Sequence, residues 1–150
     1  MPKTRTGSRS PPLVSVAGRH SPLTRAAVVR AAETVLRAER RGAVLSIAFV
    51  GRDRMRTLHR RWKGEDRVTD VLAFRLPTPG GWPLLAGDVY VCPWQAARAA
   101  REHGVPLREE LLRLVIHGVL HVLGRDHPDG PERVRSPMWR RQEQMVRRVR

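Results

Sequence analysis

The sequence predicts an α+β fold, in which a small mixed β-sheet is packed by helices and a buried central helix carries histidines. One observation behind this prediction is the order of the patterned segments, β-α-β-α-β-β-α-α-α, which favours an α+β domain. Another is the segment over 106–123, which is apolar on every side beyond Arg113, as is typical of a buried helix. The length of 150 residues suits one domain over 13–150, after a polar tail over 1–12 that we expect to be disordered.

The first half of the chain alternates between strand and helix patterns. The run 13–16 is a short strand candidate. A helix is predicted over 21–42, because the Ser-Pro pair at its start matches an N-cap followed by proline, and Gly42 matches a C-terminal stop. Residues 43–50 are β-branched and aromatic, which predicts the strongest strand, and 53–62 form a short amphipathic helix pattern.

The second half of the chain contains two neighbouring strands and then three helices. Turn residues rather than a helix pattern separate the two strands, so they are expected to follow each other directly. The predicted elements are strands over 69–74 and 86–92, a helix that Pro93 opens and that runs to about His103, the central helix over 106–123, and a basic helix that follows Pro131 and runs to the C-terminus.

The balance of charged residues indicates a polyanionic partner. The formal net charge is +15, and Lys3 and Lys63 are the only lysines among 29 cationic residues. Codon bias in a GC-rich genome can favour arginine over lysine, but it does not explain the excess of cations over carboxylates. A basic surface attracts polyanions, of which nucleic acid is the commonest, and a merely soluble cationic surface is the alternative.

The N-terminal residues and the cysteine content bear on the cellular setting. The N-terminus lacks the apolar core of a secretory signal, and no apolar run approaches the ~18 residues of a membrane helix. Cys92 is the only cysteine, which excludes an internal disulfide framework and suits a reducing compartment. We therefore expect a cytoplasmic protein with no membrane partner.

Three histidines lie within eleven residues at the end of the central helix. His117 and His121 are four residues apart, so their side chains project from one helix face. This spacing lets two imidazoles share one zinc ion, and Gly124 can turn the chain so that His127 becomes a third ligand. Three protein ligands leave the fourth position of zinc to water, which is typical of catalytic sites. The sequence thus predicts one Zn²⁺ per chain.

The residue that follows the first histidine distinguishes this motif from that of a peptidase. The spacing equals the HExxHxxGxxH pattern of the metzincin proteases, but Gly118 stands where those enzymes have the glutamate that serves as general base. A glycine inside a helix is unfavourable compared with alanine. Gly118 therefore indicates either that another part of the protein approaches the helix closely or that the glycine is neutral.

Three motifs resemble those of one bacterial family. The run His117-Gly-Val-Leu-His-Val-Leu-Gly-Arg-Asp-His127 resembles the HGxLHLxGYDH signature of the YbeY family of endoribonucleases. Upstream, the runs TDVLAF over 69–74 and AGDVYV over 86–91 are similar to the family's TDVLSF and LGDIVI strands. The resemblance implies an α+β fold, zinc on the three histidines, and cleavage of single-stranded RNA in ribosomal RNA maturation and ribosome quality control, with the small ribosomal subunit as partner.

The chain departs from the family pattern at a position that the resemblance links to activity. The family has an asparagine and, four residues later, an arginine upstream of TDVLSF, and here these positions are His59 and Lys63. Lys63 is therefore the candidate catalytic residue, a cation for the substrate phosphate that lacks the bidentate fork of arginine. Ala73 and Arg125 replace the family's Ser and Tyr.

Several other side chains have two interpretations. Asp126 can hold a ligand imidazole or accept from backbone donors in the turn, and Asp88 can lie near the metal or serve as an edge carboxylate. The arginine pairs 140–141 and 147–148 can bind phosphates or form a solvated helix face. We expect Cys92 to lie in the core rather than to bind zinc. The tryptophans are likewise expected to pack in the core rather than to stack on bases: Trp62, Trp82, Trp94 and Trp139.

Two other functions stay open at this point. One is a metallopeptidase-like hydrolase, which the glycine at position 118 and the positive charge disfavour. The other is a ribosome-associated RNA-binding module with a structural zinc, which three ligands rather than four disfavour. No residue qualifies as a general base from the sequence.

Overall fold

The computed structural model describes residues 13–18 and 21–150, so the predicted tail over 1–12 lies outside the described residues. Within these ranges, four strands and five α-helices follow each other in the predicted order, and a short 3₁₀-helix precedes the last α-helix. Their bounds are β1 Val14–Ala17, α1 Arg25–Glu39, β2 Ala43–Phe49, α2 Arg52–Lys63, β3 Val71–Leu76, β4 Leu85–Val91, α3 Pro93–His103, α4 Leu107–Val122, the 3₁₀-helix Gly130–Arg135 and α5 Pro137–Val149.

The strands form one mixed sheet in the order β1-β2-β4-β3. β1 and β4 each pair with β2 in parallel, whereas β3 pairs with β4 in the antiparallel direction and lies at the edge. The antiparallel pair agrees with the direct succession of two strands in the sequence, because parallel neighbours require a crossover connection. The predicted α+β class is confirmed.

The two faces of the sheet are covered by different helices. On one face, a Cβ added to Gly87 of β4 would overlap Val122, so α4 lies directly against this strand. Side chains alternate along a strand, so Asp88 and Tyr90 point to the other face. The main core lies on the α4 side, and α1 and α5 complete it. The predicted buried helix is thus confirmed: the side chains of α4 from Leu114 onward are buried, except that of His121, which is partly exposed.

A smaller core lies on the other face, beneath α2. Its members are mostly aliphatic and include the cysteine, which is buried without a disulfide partner, as expected. The expectation that the tryptophans pack in the core is wrong for three of the four. Trp62, Trp82 and Trp94 are exposed, and only Trp139 is partly buried. The smaller core consists of Val50, Met55, Leu58, Leu72 and Cys92.

Helix α1 begins and ends at residues other than the predicted ones. Its N-cap is Thr24, whose side chain accepts from the backbone N–H of Ala27, while Ser21 accepts from Leu23 within the preceding turn. At the other end the chain leaves the helix at Arg40, which adopts a left-handed conformation with φ of 53°. Ser and Thr compete for the same capping role, so sequence pattern alone did not separate them. Strand β3 likewise lies two residues later than predicted.

Among the described residues, no helix combines the length and the hydropathy that a membrane span requires.

Candidate metal centre

The three predicted histidines converge at the end of α4. The Nε2 atom of His121 lies 3.0 Å from Nε2 of His117 and 3.2 Å from Nε2 of His127. Two nitrogens at tetrahedral positions 2.0–2.1 Å from one ion lie about 3.3 Å apart, so these distances fit a shared ion. Within the described residues, the candidate ligand atoms of this group all lie within 4.8 Å of one another.

The chain reverses direction after α4 and so brings the third histidine back to the first two. Gly124 has φ of 95°, and the N–H groups of Gly124 and Arg125 donate to the carbonyls of His121 and Leu120. This left-handed turn is one that glycine adopts without strain. Arg75 of the edge strand β3 donates its Nε–H to the carbonyl of Val122 at 2.8 Å and so fixes the helix end. The predicted role of Gly124 is confirmed.

The second nitrogen of two of the imidazoles has a partner within the protein. Nδ1 of His117 lies 2.7 Å from Oε1 of Gln142, and Nδ1 of His127 lies 3.0 Å from the carbonyl oxygen of Pro128. Because both partners accept, each Nδ1 carries the proton and each Nε2 keeps its lone pair for a metal. Gln142 is 1% exposed.

Gln142 was not predicted as a site residue, although the apolar pattern of α5 indicates that its side chain faces the interior. Gln142 lies between Met138, Met145 and Val146, three buried apolar residues at helical spacing. A polar side chain at such a position faces the protein interior and needs a hydrogen-bond partner. The position of Gln142 therefore indicated an internal acceptor or donor, but not which one.

Burial keeps two of the imidazoles in the neutral form. Burial is the largest cause that lowers the pKa of His117, to about 3, and the bond to Gln142 opposes it only in part. The pKa of His121 is also lowered, first by burial and then by the charge of His127. An imidazole must be neutral to bind a metal, so both side chains are in the ligand form at neutral pH.

The structure separates the alternatives for the two aspartates. Oδ1 of Asp126 accepts from the backbone N–H of His127 at 2.8 Å, so this carboxylate serves the turn. Asp88 pairs in register with Ser46 and Phe74 and points to the face of the sheet away from α4. Of the two interpretations of Asp88, the one that places it near the metal is therefore wrong.

Gly118 marks a close approach between α4 and the sheet. A Cβ at this position would overlap Cγ1 of Val89 and would lie 3.4 Å from Cγ2 of Val71. The helix therefore lies closer to β4 than any larger residue allows, and the first of the two interpretations of Gly118 is confirmed.

Arg125, which departs from the family pattern, and Arg141 of the basic C-terminal helix both have partners within the protein. Arg125 and Arg141 both bind the carboxylate of Glu39, at 2.9 and 2.7 Å. Burial raises the pKa of Glu39, but the hydrogen bonds from Arg141 and Arg125 bring it below its ordinary value. These arginines connect α1 to α5 and to the turn after α4.

Lys63 lies at the end of α2, on the face of the sheet opposite to α4 and its imidazoles. Its side chain is exposed, and Nζ lies 5.9 Å from the ring centroid of Phe74. The ring of Phe74 contacts that of Tyr90 in an edge-to-face arrangement, on the face that points away from α4. The neighbouring departure, His59, is buried, and its Nδ1 lies 2.9 Å from the carbonyl oxygen of Glu65. The role of Lys63 stays a prediction.

A cavity of about 430 Å³ adjoins the imidazoles on the side of His117. Helices α3, α4 and α5 and the 3₁₀-helix enclose it, and Asp70 closes it before β3. Burial raises the pKa of Asp70. The walls combine apolar side chains with charged and polar ones, including Glu110, Arg113, Arg133 and Gln142, and Lys63 is not among them.

Comparison with known proteins gives one family. The sequence model described as Endoribonuclease YbeY matches residues 19–150. Curated proteins of that name include one from Anaeromyxobacter sp. (strain Fw109-5), 45% identical over 98 residues that make up 65% of this chain and 51% of the relative. One from Pelotomaculum thermopropionicum is 40% identical over 129 residues, 81% of this chain and 84% of the relative. The match thus spans about half the length of the first relative.

Similarity also extends to a solved structure. The solution structure of the target protein TM1509 from Thermotoga maritima superposes with a TM-score of 0.60 at 28% sequence identity. The match covers 91% of this chain and 88% of that protein.

Proposed function

We propose, from the premise that this chain belongs to the YbeY endoribonuclease family, that it is a metal-dependent endoribonuclease. The proposed substrate is single-stranded RNA, and the proposed process is ribosomal RNA maturation and ribosome quality control. The observation that carries the proposal is the convergence of three Nε2 lone pairs beside a cavity. The proposal includes a cytoplasmic location and the small ribosomal subunit as partner, because these supply the substrate.

The donor set fits one zinc ion. His117, His121 and His127 would hold the ion through neutral imidazole nitrogens, a set that suits zinc and leaves one position open. When bound, the ion supplies a Lewis acid and lowers the pKa of water. The chain orients the ligands through Gln142 and the carbonyl of Pro128. No carboxylate is among the ligands, so the set does not neutralise the charge of the ion. A site of net positive charge favours a phosphodiester over a neutral substrate.

The peptidase alternative lacks a general base at its usual place. Position 118 is a glycine, so the glutamate of that motif is absent. A side chain at this position would also point at Val89 in the sheet and not into the space in front of the imidazoles. The structural-zinc alternative lacks a fourth ligand among the described residues. Cys92, the only thiol of the chain, lies in the smaller core on the other face of the sheet.

Cleavage of a defined RNA tests the proposed function. Zinc-loaded protein should cut an RNA with single-stranded segments. Removal of the metal by a chelator should stop cleavage, and added zinc should restore it. The His121→Ala variant, purified in the same way, should be inactive. Equal cleavage by this variant would identify a contaminating nuclease and would contradict the proposal.

A further inference from the structure

Arg133 contains a buried donor that the described residues do not satisfy. Its Nε atom is inaccessible to solvent and has no hydrogen-bond partner among them. The guanidinium carbon lies 5.6 Å from the ring centroid of Trp139. Buried polar groups in native proteins nearly always have a partner. Because the Arg133 side chain also lines a cavity, a small shift of the guanidinium would bring this nitrogen to an acceptor held there.

The backbone that carries Arg133 is held in place. Ser136 is buried, and its N–H and its hydroxyl both donate to the carbonyl of Arg133, at 3.2 and 2.7 Å. The same hydroxyl accepts from the backbone N–H of Trp139 at 3.2 Å and so caps α5. The 3₁₀-helix and α5 thus form one unit. The backbone of Arg133 is prepositioned, which lowers the entropic cost of binding a ligand.

The cavity beside Arg133 continues to the imidazoles. Leu114 and His117 of α4 form one wall, Ala99 of α3 forms a second, and Trp139 of α5 forms a third. Arg133 of the 3₁₀-helix lines the same cavity as His117. The guanidinium therefore acts on the same space as the metal centre.

The chemistry of the walls defines the class of ligand. A guanidinium binds phosphate oxygens with two parallel donors. The apolar side chains and Trp139 offer a surface for a planar base, while the carboxyl of Asp70 offers a hydrogen-bond partner. A volume of about 430 Å³ lies in the range of small-ligand pockets. A nucleotide combines these features, whereas a bare anion uses only the guanidinium.

We propose that Arg133 and this cavity form a subsite for one nucleotide of the RNA, with a phosphate on the guanidinium and the base in the cavity. This assignment rests on the proposed function and names where the nucleotide that flanks the cleaved bond is held. Arg133, and not only Lys63, then supplies a cation for the substrate.

Binding of a single nucleotide tests the phosphate contact. The probe is uridine 3′,5′-bisphosphate, which has no phosphodiester bond to cut, and titration calorimetry of the zinc-loaded full chain gives its dissociation constant. Arg133→Gln should weaken binding by about tenfold, because it removes a charge-assisted hydrogen bond. The affinity of Arg133→Lys should lie between those of the parent protein and Arg133→Gln. Arg135→Gln is the matched control, since it removes the same charge from an exposed position of the same 3₁₀-helix, and should leave binding unchanged.

Filling the cavity tests the base. Ala99→Leu adds a side chain to the cavity wall, and Ala97→Leu adds the same group to the same helix outside the cavity. Ala99→Leu should weaken binding of the bisphosphate and leave binding of inorganic phosphate unchanged. Ala97→Leu should affect neither. Equal affinity of the Ala99→Leu and parent proteins for the bisphosphate would remove the base from the cavity.

The outcomes separate this inference from the proposed function. If Arg133→Gln and Arg135→Gln weaken bisphosphate binding equally, or if neither does, the subsite is wrong, even when the parent protein cuts RNA. If the parent protein cuts no RNA while only Arg133→Gln loses bisphosphate binding, the nucleotide subsite stands and the proposed function fails. Zinc content and thermal unfolding of each variant show that the metal centre and the fold are retained.

Discussion

The two ends of helix α4 differ in whether their charged and polar groups are paired within the protein. At the N-terminal end, which we call the charge-paired end, Arg113 binds Glu110 at 2.9 Å, Glu143 at 3.0 Å and Glu109 at 3.4 Å. At the other end, which we call the imidazole end, the chain provides Nε2 lone pairs that point at one another and an arginine Nε without an acceptor among the described residues. The charge-paired end is complete within the protein, whereas the imidazole end holds the groups that would bind the proposed ion and the proposed phosphate.

Two successive residues of α5 serve the two ends. Gln142 accepts from His117, and Glu143 accepts from Arg113. The amide orients a neutral ligand without adding charge, whereas the carboxylate neutralises a cation. A change at either residue therefore tests one end against the other, with the same helix as background.

The largest effect is expected at the imidazole end. His121→Ala should abolish both tight zinc binding and RNA cleavage, because it removes the nitrogen that lies between the other two. Elemental analysis after gel filtration measures the bound metal. Arg113→Met, at the charge-paired end, should keep about one zinc per chain. Stoichiometric zinc in the His127→Ala variant would show that the third ligand is wrongly assigned.

The second prediction concerns pH and the metal-free protein. In the unfolded chain the His117 imidazole is protonated below about pH 6.5, whereas in the folded chain it is protonated only near pH 3. The free energy of unfolding should therefore decrease as the pH is lowered from about 6.5 to about 3. Each pKa unit corresponds to about 1.4 kcal/mol, which sets an upper bound of about 5 kcal/mol. Urea unfolding at several pH values measures the loss.

The charge-paired end should respond in a lower pH window. The bonds from Arg150 lower the pKa of Glu109, so its contribution is present above about 4.5 and is lost only as the pH falls further. Glu109→Gln should therefore leave the loss between pH 6.5 and 5 unchanged, while His117→Gln should reduce it. A stability that is flat between pH 6.5 and 5 in the metal-free parent protein would contradict the role of His117.

The third prediction addresses the stability of the charge-paired end alone. Arg113→Met should lower the free energy of unfolding by about 3 kcal/mol, because it leaves buried carboxylates without their cation. Zinc binding should not change. Urea unfolding of the zinc-free variant at pH 7 gives the value, and a loss below the error of that measurement would mean that solvent replaces the cation.

The fourth prediction compares the neighbouring residues of α5. Gln142→Leu should weaken zinc binding by about 10- to 100-fold, because the imidazole of His117 loses the acceptor that fixes its orientation. Glu143→Gln should leave zinc affinity unchanged. Competition with a chromogenic chelator measures both. Equal affinities of the two variants would assign Gln142 a packing role only.

The smallest effect is expected at Lys63, which lies on the face of the sheet away from α4. Lys63→Ala should lower RNA cleavage by less than about tenfold, because an exposed cation is screened by water. Lys63→Arg should keep or raise activity, since the guanidinium adds a second donor. Steady-state rates at matched zinc content decide, and identical rates for the Lys63→Ala and parent proteins would leave Lys63 without a role in catalysis.

The sequence predicted the features that depend on local pattern. Element order, the buried helix and the histidine spacing all follow from periodicity and from the turn at Gly124. The features that depend on tertiary neighbours were not predictable in this way. Gln142 and Arg133 reach the site from later segments, and the partner of Gly118 is on a strand far earlier in the chain. Trp62 on α2, Trp82 in the loop before β4 and Trp94 on α3 are exposed, because the side of an element that a residue occupies is not reported by composition.

The packing of Gly118 also limits how this protein can evolve. Some glycine codons become glutamate codons through a single nucleotide change, so the peptidase form of the motif is one mutational step away. That step would drive a side chain into Val89 and separate α4 from the sheet. A glutamate at this position would therefore require a smaller residue in place of Val89 as well. One contact between α4 and β4 thus separates this motif from the peptidase form with the same histidine spacing.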